Sequence, residues 1–398
     1  MADILKRRIG LPLLTAYGVG VMVGAGIYVL IGAVAAQAGV WAPLAFFLAG
    51  CVAAPTALSY AEFSSRVPDA AGEAAYVSKG FNSDALGILV GLAIVVAGTI
   101  SAAAVLRGGV GYLSSLVPVD PAILIGVMGV TLVIVAILGA VESLAVAAVF
   151  TAIEVVGLFL IVWVGFGSEP VAEIVTLPPP IWSGIMAGAV LAFFAFIGFE
   201  DIVNMAEEVK DPSRTLPRAI LISLFVTSAI YALVAFGAVR VVPVADLSQS
   251  EQPLALVWQT ARGTDAAFLS AIAVFAALNG VLAQNVMAAR VLFGLGRRTP
   301  ILSVFHQAHP RFGTPTRATA LVGLFVIGGA LVLPVATLAE ITSTVLLTVF
   351  VMVNAALILV KWRGVETQGF RVSIVVPMTG LVLSLAALTI GIVSGTSF

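Results

Sequence analysis

The chain has 398 residues, 61% of them hydrophobic and 10% charged, with a formal net charge of −1. A soluble domain carries about 25% charged residues, so a water-soluble globule is excluded, and no Lys/Arg block is long enough to hold nucleic acid. The single cysteine, Cys51, excludes an intramolecular disulfide.

A mean hydropathy of +1.16 reads as a polytopic all-α membrane protein, with room for about 11 or 12 helices at roughly 20 apolar residues per crossing. The basic segment Met1–Arg8 precedes the first apolar stretch, which lacks a suitably placed small-residue cleavage site and is expected to be retained as helix 1. In chain order the apolar runs predict helices at about 11–37, 42–66, 84–116, 121–140, 144–167, 182–207, 217–239, 265–294, 316–333, 337–361 and 372–394. Glu169-Pro170 and Pro178-Pro179-Pro180 form a stiff outer linker, and residues 243–262 are expected to be a polar outer loop. With the N-terminus inside, Lys6, Arg7, Arg8, Arg66, Lys79, Lys210, Arg214, Arg218, Arg290, Arg297, Arg298, Arg311, Arg317, Lys361, Arg363 and Arg371 lie on the cytoplasmic side. Only Arg107, Arg240 and Arg262 fall opposite, so 16 of 19 basic residues obey the positive-inside rule. The expectation is a multi-pass protein of the cell membrane, N-terminus cytoplasmic and C-terminus outside.

Two of these helices are interrupted. Helix 1 carries Gly20, Gly24 and Gly26, and helix 6 is interrupted at Ile197-Gly198 and followed by Glu200. Glycine costs about 1 kcal/mol in a helix interior, and unwound backbone is tolerated at membrane depth only where it lines a cavity or is buried in protein. Paired breaks in two halves point to a transporter's substrate site. The competing reading is small-residue helix packing, because Gly20 and Gly24 have the Gly-xxx-Gly spacing. An odd number of helices per half makes the halves inverted: helices 1–5 (about 11–167) against helices 6–10 (about 182–361), with an extra helix at about 372–394, all in one transmembrane domain.

Four segments carry a family resemblance: GVGVMVGAGIY in helix 1, SYAEFSSRVPDAAGEAAYV from helix 2, AFFAFIGFEDIVNMAEEVKDPSRTLPRAI at the helix 6 exit, and AARVLFGLGRRTPIL at the helix 8 exit. In this order they resemble the amino acid–polyamine–organocation (APC) superfamily from helix 1 through helix 10. The resemblance implies a five-plus-five inverted-repeat transporter core with broken helices 1 and 6, carrying amino acids or related amines by proton or sodium symport or by exchange. Two departures stand out. The family's usual twelfth helix is expected to be absent, and the lysine that relatives of the cationic amino acid carriers place in helix 5 is replaced by Glu154 in the run Thr151–Leu158.

A zwitterionic amino acid needs donors for its carboxylate and acceptors for its ammonium, and a broken helix provides both. The amides of Gly24, Ala25, Gly26 and Ile27 are the expected carboxylate site. The carbonyls of Val21 and Met22, with Phe194, Ile197 and Gly198 of helix 6, are the expected ammonium side. Phe193, Phe194, Phe196 and Phe199 cluster at the second break. By resemblance to the arginine/agmatine exchangers, Phe194 closes over the substrate from outside, although membrane aromatics often serve packing alone.

Charged groups inside the hydrocarbon cost at least ~2.5 kcal/mol and default to a functional reading. Glu154, Glu200 and Glu340 are three such acids. Glu200 reads as a gate, a proton carrier or a structural carboxyl, Glu154 as a proton-coupling group, and Glu340 as solvated or structural. Helix 8 reads AVFAALN over residues 273–279, without the hydroxyl pair of a sodium site, and Asn279, Gln284 and Asn285 are candidates for interhelical hydrogen bonds. Glu62, Arg66, Glu207, Glu208, Lys210, Asp211, Arg214, Arg218 and Arg290 form either an inner gate or a solvated charged rim. His306 and His309 are too isolated for a metal site. The function expected is secondary amino acid transport without a cofactor beyond a coupling proton or sodium ion. An amine or polyamine exchanger, a sodium symporter, a channel and a non-transporting sensor remain the alternatives. The near-site positions favour small-to-medium neutral amino acids, and no Ser/His/Asp, metal or phosphate-loop constellation suggests an enzyme.

Overall fold

The computed structural model describes residues 9–67, 72–138, 144–206, 208–364 and 369–395; Lys6, Arg7, Arg8 and Glu207 lie outside the described residues. Each expected span finds a helix: α1 (Leu11–Ala38), α2 (Ala42–Arg66), α3 (Asp84–Leu113), α4 (Pro121–Leu138), α5 (Leu144–Gly167), α6 (Trp182–Phe193), α7 (Pro212–Val241), α8 (Ala267–Arg298), α9 (Thr316–Val332), α10 (Val335–Trp362) and α11 (Val375–Gly395). Among the described residues nine stretches are long and apolar enough to cross a membrane. One of them, Gly26–Arg66, runs through the turn Gly39–Trp41 and so comprises the second half of α1 and all of α2. The remaining apolar helices, Leu11–Gly24 and Thr316–Val332, are shorter.

The differences from the expected boundaries have local causes. α7 starts at Pro212 rather than near 217, because proline is well suited to a first turn, where its missing N–H costs nothing. The segment 243–262 is not an irregular loop. It folds into two short helices, Val244–Gln249 and Pro253–Arg262, which bury Leu247, Leu254, Ala255 and Val257 against the bundle. A further helix, Gly72–Phe81, packs on α3 and α10 between α2 and α3.

The helices sort into two packed groups. α7 lies along α1 and α2, and α6 packs on the same two; α3 runs along α8, with α9 and α10 on its other sides. α5 touches both groups, through α1 and α7 on one side and α8 on the other. A buried amide joins the groups through α10: Ser59 Oγ donates to Asn354 Oδ1 at 2.7 Å, and Asn354 Nδ2 donates to Thr56 Oγ1 at 2.9 Å.

Most basic residues cluster on the face where the described chain begins. There Ile9 pairs with the helix 6 exit: its N–H donates to the Glu208 carbonyl at 3.1 Å and its carbonyl accepts from Lys210 N–H at 2.9 Å. Glu62, read as part of an inner gate or a solvated charged rim, is buried and holds Arg66 and Lys361, each at 2.6 Å, and accepts from the Val372 N–H at 2.8 Å. It thereby ties α2 to α10 and to the approach to α11. The three basic residues on the far face are held locally: Arg107 donates to the Ala330 carbonyl at 2.7 Å, Arg240 to the Ser168 carbonyl at 3.2 Å, and the Arg262 guanidinium lies 4.2 Å over the Trp163 ring.

Two predictions concern these buried charges. Removing one partner of a buried ion pair costs about 3–5 kcal/mol, so Glu62→Leu, which deletes the carboxylate shared by two cations, should lower the melting temperature of the purified protein sharply. Lys361→Met should cost less, because the Glu62–Arg66 pair persists; equal losses would show that Glu62 is not the centre of the cluster. The second concerns Glu73, buried in the short helix outside the membrane spans. Burial pushes its carboxyl from 4.5 up to about 8, against a backbone hydrogen bond that pulls it down, and the charge of Asp201 adds to the rise. The folded protein therefore binds this proton where the unfolded chain has lost it, and stability falls as pH rises through that window. Glu73→Gln should raise the melting temperature relative to the parent at about pH 9 and leave it unchanged at about pH 4; a pH-independent difference would contradict this.

Candidate functional site

The two helix breaks meet. α1 leaves helical geometry at Gly24 (φ −16°, ψ −165°). α6 ends at Phe193, passes through the tight turn Phe194–Phe196, becomes extended at Ile197 (ψ 132°) and reaches a φ of +127° at Gly198. It then resumes as the narrow helix Glu200–Met205. Only glycine adopts that φ readily, and a Cβ at Gly198 would stand 2.8 Å from Val21 Cγ1 and 3.0 Å from the Met22 amide nitrogen. A Cβ at Gly26 would lie 3.2 Å from Ala195 Cα, whereas one at Gly24 meets nothing nearer than Gly280 Cα of α8 at 4.0 Å. Gly26 is thus a close-packing glycine, and Gly24 borders the open side of the break, towards α8. The expected residues Val21, Met22, Gly24, Ala25, Gly26, Ile27, Phe194, Ile197 and Gly198 therefore lie on the two strands of backbone that meet here. The side chains of Met22 and Ile27 are buried.

Side chains complete the broken backbone. The Tyr231 hydroxyl of α7 lies 2.5 Å from the Met22 carbonyl and 2.8 Å from the Ala195 carbonyl, so one group caps a strand of each break. Met22, expected to present its carbonyl to an ammonium, has given one lone pair to this tyrosine. On the other strand, Glu200 Oε2 accepts from the Gly198 N–H at 3.0 Å. Glu200 is thus a clamp on the helix 6 break, fully inside the protein. Tyr231 carries no sequence signal; nothing in its own surroundings along α7 marks it.

The four phenylalanines separate by contact. Phe193 and Phe199 pack edge-on or tilted against Phe350 at 5.7 and 5.3 Å, and Phe196 meets Tyr231 at 5.2 Å. Among the described residues Phe194 has no such aromatic partner, and its Cδ1 lies 4.0 Å from the Cβ position of Gly26, beside the break.

Two of the buried acids reach α8. Asn279 Nδ2 donates to Glu154 Oε1 at 3.4 Å, and among the described residues Glu154 Oε2 finds no partner. The Tyr28 hydroxyl of α1 donates to the backbone carbonyl of Glu154 at 2.7 Å, and the Tyr28 carbonyl accepts from Tyr112 of α3 at 2.7 Å. Asp201, which sequence reasoning passed over beside Glu200, accepts from Gln284 Nε2 at 2.9 Å. Asn279 and Gln284 bracket Gly280, so α8 presents an amide on each side of the position facing Gly24. Glu340, half-buried in the first turns of α10, belongs to neither cluster. Of the charged rim, Asp211 and Arg214 form an exposed pair at 3.9 Å. No group of three His, Cys, Asp or Glu side chains among the described residues is placed to hold a metal ion.

Comparison with known proteins shows the family and the fold. The profile of the Amino acid permease family matches residues 9–397. A vacuolar protein of Arabidopsis thaliana named cationic amino acid transporter 4 is 29% identical over 90% of this chain and 64% of its own length. From Bacillus subtilis, the branched-chain amino acid permease BcaP is 29% identical over 90% of this chain and 81% of its own, and a methylthioribose transporter is 29% identical over 91% and 83%. The chain spans about three fifths of the length of the Arabidopsis relatives it matches. A solved structure of a Na+-coupled sialic acid symporter, substrate-bound and outward-open, superposes with a TM-score of 0.63 at 13% identity, covering 100% of this chain and 92% of that one; it shows the shared inverted-repeat fold alone. With its two apposed helix breaks and a profile match over nearly its whole length, this chain belongs to the Amino acid permease family.

Proposed function

We propose that this protein carries amino acids across the cell membrane by alternating access, with its N-terminus in the cytoplasm and helices 1–5 and 6–10 as the two inverted repeats. The observation that carries this is the contact between the breaks, with Gly198 against Val21 and Met22. Two interrupted helices expose amides and carbonyls side by side, which suits a ligand bearing both a carboxylate and an ammonium. The substrate's backbone sits against residues Gly24–Ile27 and Phe194–Gly198, with Phe194 over it. Its side chain projects toward Gly280 and Val105, a small and apolar surface. This favours neutral amino acids of small to medium size, in line with the relative named a branched-chain permease rather than those named for cationic substrates.

The driving force in this reading is a proton gradient or exchange. α8 lacks a hydroxyl pair near Gly280, and Glu154 offers a buried carboxyl with one oxygen unpaired. An ionised carboxylate left half-bonded in a dry bundle is costly, and taking up a proton removes that cost.

Counterflow of radiolabelled amino acids into proteoliposomes tests the transport reading; absence of counterflow with every neutral and cationic amino acid would overturn it. Phe194→Ala should weaken substrate retention about tenfold or more, the loss expected when a buried contact of about 1.4 kcal/mol or greater disappears. Phe193→Ala, which removes a ring packed on Phe350, should act mainly on stability; the opposite assignment would put the wrong ring on the ligand. Glu154→Gln should preserve exchange at equal pH while abolishing uptake driven by an imposed proton gradient. Strict sodium dependence with no response to that gradient would exclude proton coupling.

A further inference from the structure

The hydrogen bond between Asp201 and Gln284 joins the two helix groups on the N-terminal side of the breaks. Asp201 belongs to the resumed segment of helix 6, which packs against α1, α2 and α7; Gln284 belongs to α8, packed along α3. A counterpart lies on the far side, where Tyr112 of α3 holds the carbonyl of Tyr28 in α1 and itself accepts from Leu254 N–H at 3.3 Å. Each side of the Gly24–Gly198 junction thus has a contact between the groups close to the breaks, in addition to the ties of α2 to α10 through Asn354 and through Glu62 and Lys361. Rocking one group against the other must break or stretch the contact on the side that opens.

The inner contact differs from the outer one in being titratable. Asp201 is 3% exposed, and Gln284 Oε1, 5% exposed as a residue, has no donor among the described residues. A terminal amide serves either protonation state: its NH2 donates to a carboxylate, and its oxygen, after a flip, accepts from a carboxylic acid. The charged groups around Asp201 are mostly acidic. Glu200 adjoins it on the same segment, Glu73 faces it from the short helix, and Tyr17 faces it from α1 with Arg290 of α8 and Glu208 in range of the same tyrosine. Tyr60 of α2 lies within reach of Glu200 and Glu73. A neutral Asp201 fits this dry, acid-lined closure; an ionised one is accommodated when water reaches it.

We propose that Asp201 and Gln284 form a proton-operated inner latch: protonated Asp201 keeps the N-terminal side closed, and release of its proton to the cytoplasm opens that side. Asp201 acts as a positioning residue, distinct from the substrate contacts at the breaks. This inference rests on the alternating-access reading above and adds the group that times the inner opening.

The test reads opening directly, without substrate or gradient. In full-length purified protein with Cys51→Ala, Asn204→Cys places a thiol one turn beyond Asp201, at a half-buried side chain whose amide atoms have no partner among the described residues. Its rate of alkylation by a charged, water-soluble maleimide is measured against pH, with Asp201 intact and with Asp201→Asn. The Asn variant keeps the hydrogen bond and cannot titrate, and the ratio of the two rates cancels the thiol's own pH dependence. Opening linked to loss of one proton makes the ratio rise by up to about tenfold per pH unit. A ratio that stays flat overturns the latch. Gln284→Leu, which keeps the acid and removes the amide, should lift the low-pH rate toward the high-pH rate; an unchanged low-pH rate also overturns it. A flat ratio together with normal counterflow rejects the latch alone, while a rising ratio without counterflow of any amino acid supports the latch and rejects amino acid transport.

Discussion

Everything at the centre of this protein follows from the cost of unpaired backbone polar groups inside a membrane. Each interrupted helix leaves N–H and C=O groups that water cannot reach, and each such group costs several kcal/mol in hydrocarbon. The structure places the two interruptions against each other and completes them with side chains. Tyr231 caps the Met22 and Ala195 carbonyls from α7, and Glu200 accepts from the Gly198 amide. Glycine at 198 is then obligatory twice over, by its backbone angle and by the 3.0 Å approach of the Met22 nitrogen to the place a Cβ would occupy. What is left open lies toward α8, where Gly24 faces Gly280.

The same constraint governs the charged groups. Buried acids persist where something holds them, and for two of them the holders are amides on α8: Asn279 for Glu154 and Gln284 for Asp201. Neither acid meets a cation in those contacts, unlike Glu62, which sits between Arg66 and Lys361. The distinction separates two kinds of contact. An acid between two cations ties helices together, whereas a side-chain amide offers both a donor and an acceptor to the acid it holds. Glu154 and Asp201 belong to the second kind.

The basic residues show how topology and local packing share the work. The cluster on the N-terminal face follows the charge bias of the whole chain, and the exceptions on the far face have each found a local partner: a carbonyl for Arg107, a carbonyl for Arg240 and an indole face for Arg262. The short helices Val244–Gln249 and Pro253–Arg262 cover the far side of α1, placing the carbonyl of Leu247 only 2.5 Å from where a Cβ at Gly32 would stand. A polar composition concealed this role, because Leu247, Leu254 and Val257 are spaced to bury one narrow face.

The sequence by itself determined the class, the eleven spans and the two interruptions, since about 20 apolar residues per crossing and glycines clustered inside such runs are local signals that no tertiary contact alters. It also singled out Phe194 and Glu154, one by its place beside a break and the other as a charge inside hydrocarbon. Only the tertiary structure decided which carboxyl meets which amide, that Tyr231 bridges both breaks, that Glu62 binds Lys361 nearly 300 residues away in the chain, and that Asp201 rather than Glu200 crosses between the helix groups. Those are contacts between residues far apart in sequence, chosen by how helices pack and rotate against one another. Helical periodicity fixes which residues share a face, but the partner that face meets is set by the packing of the whole bundle.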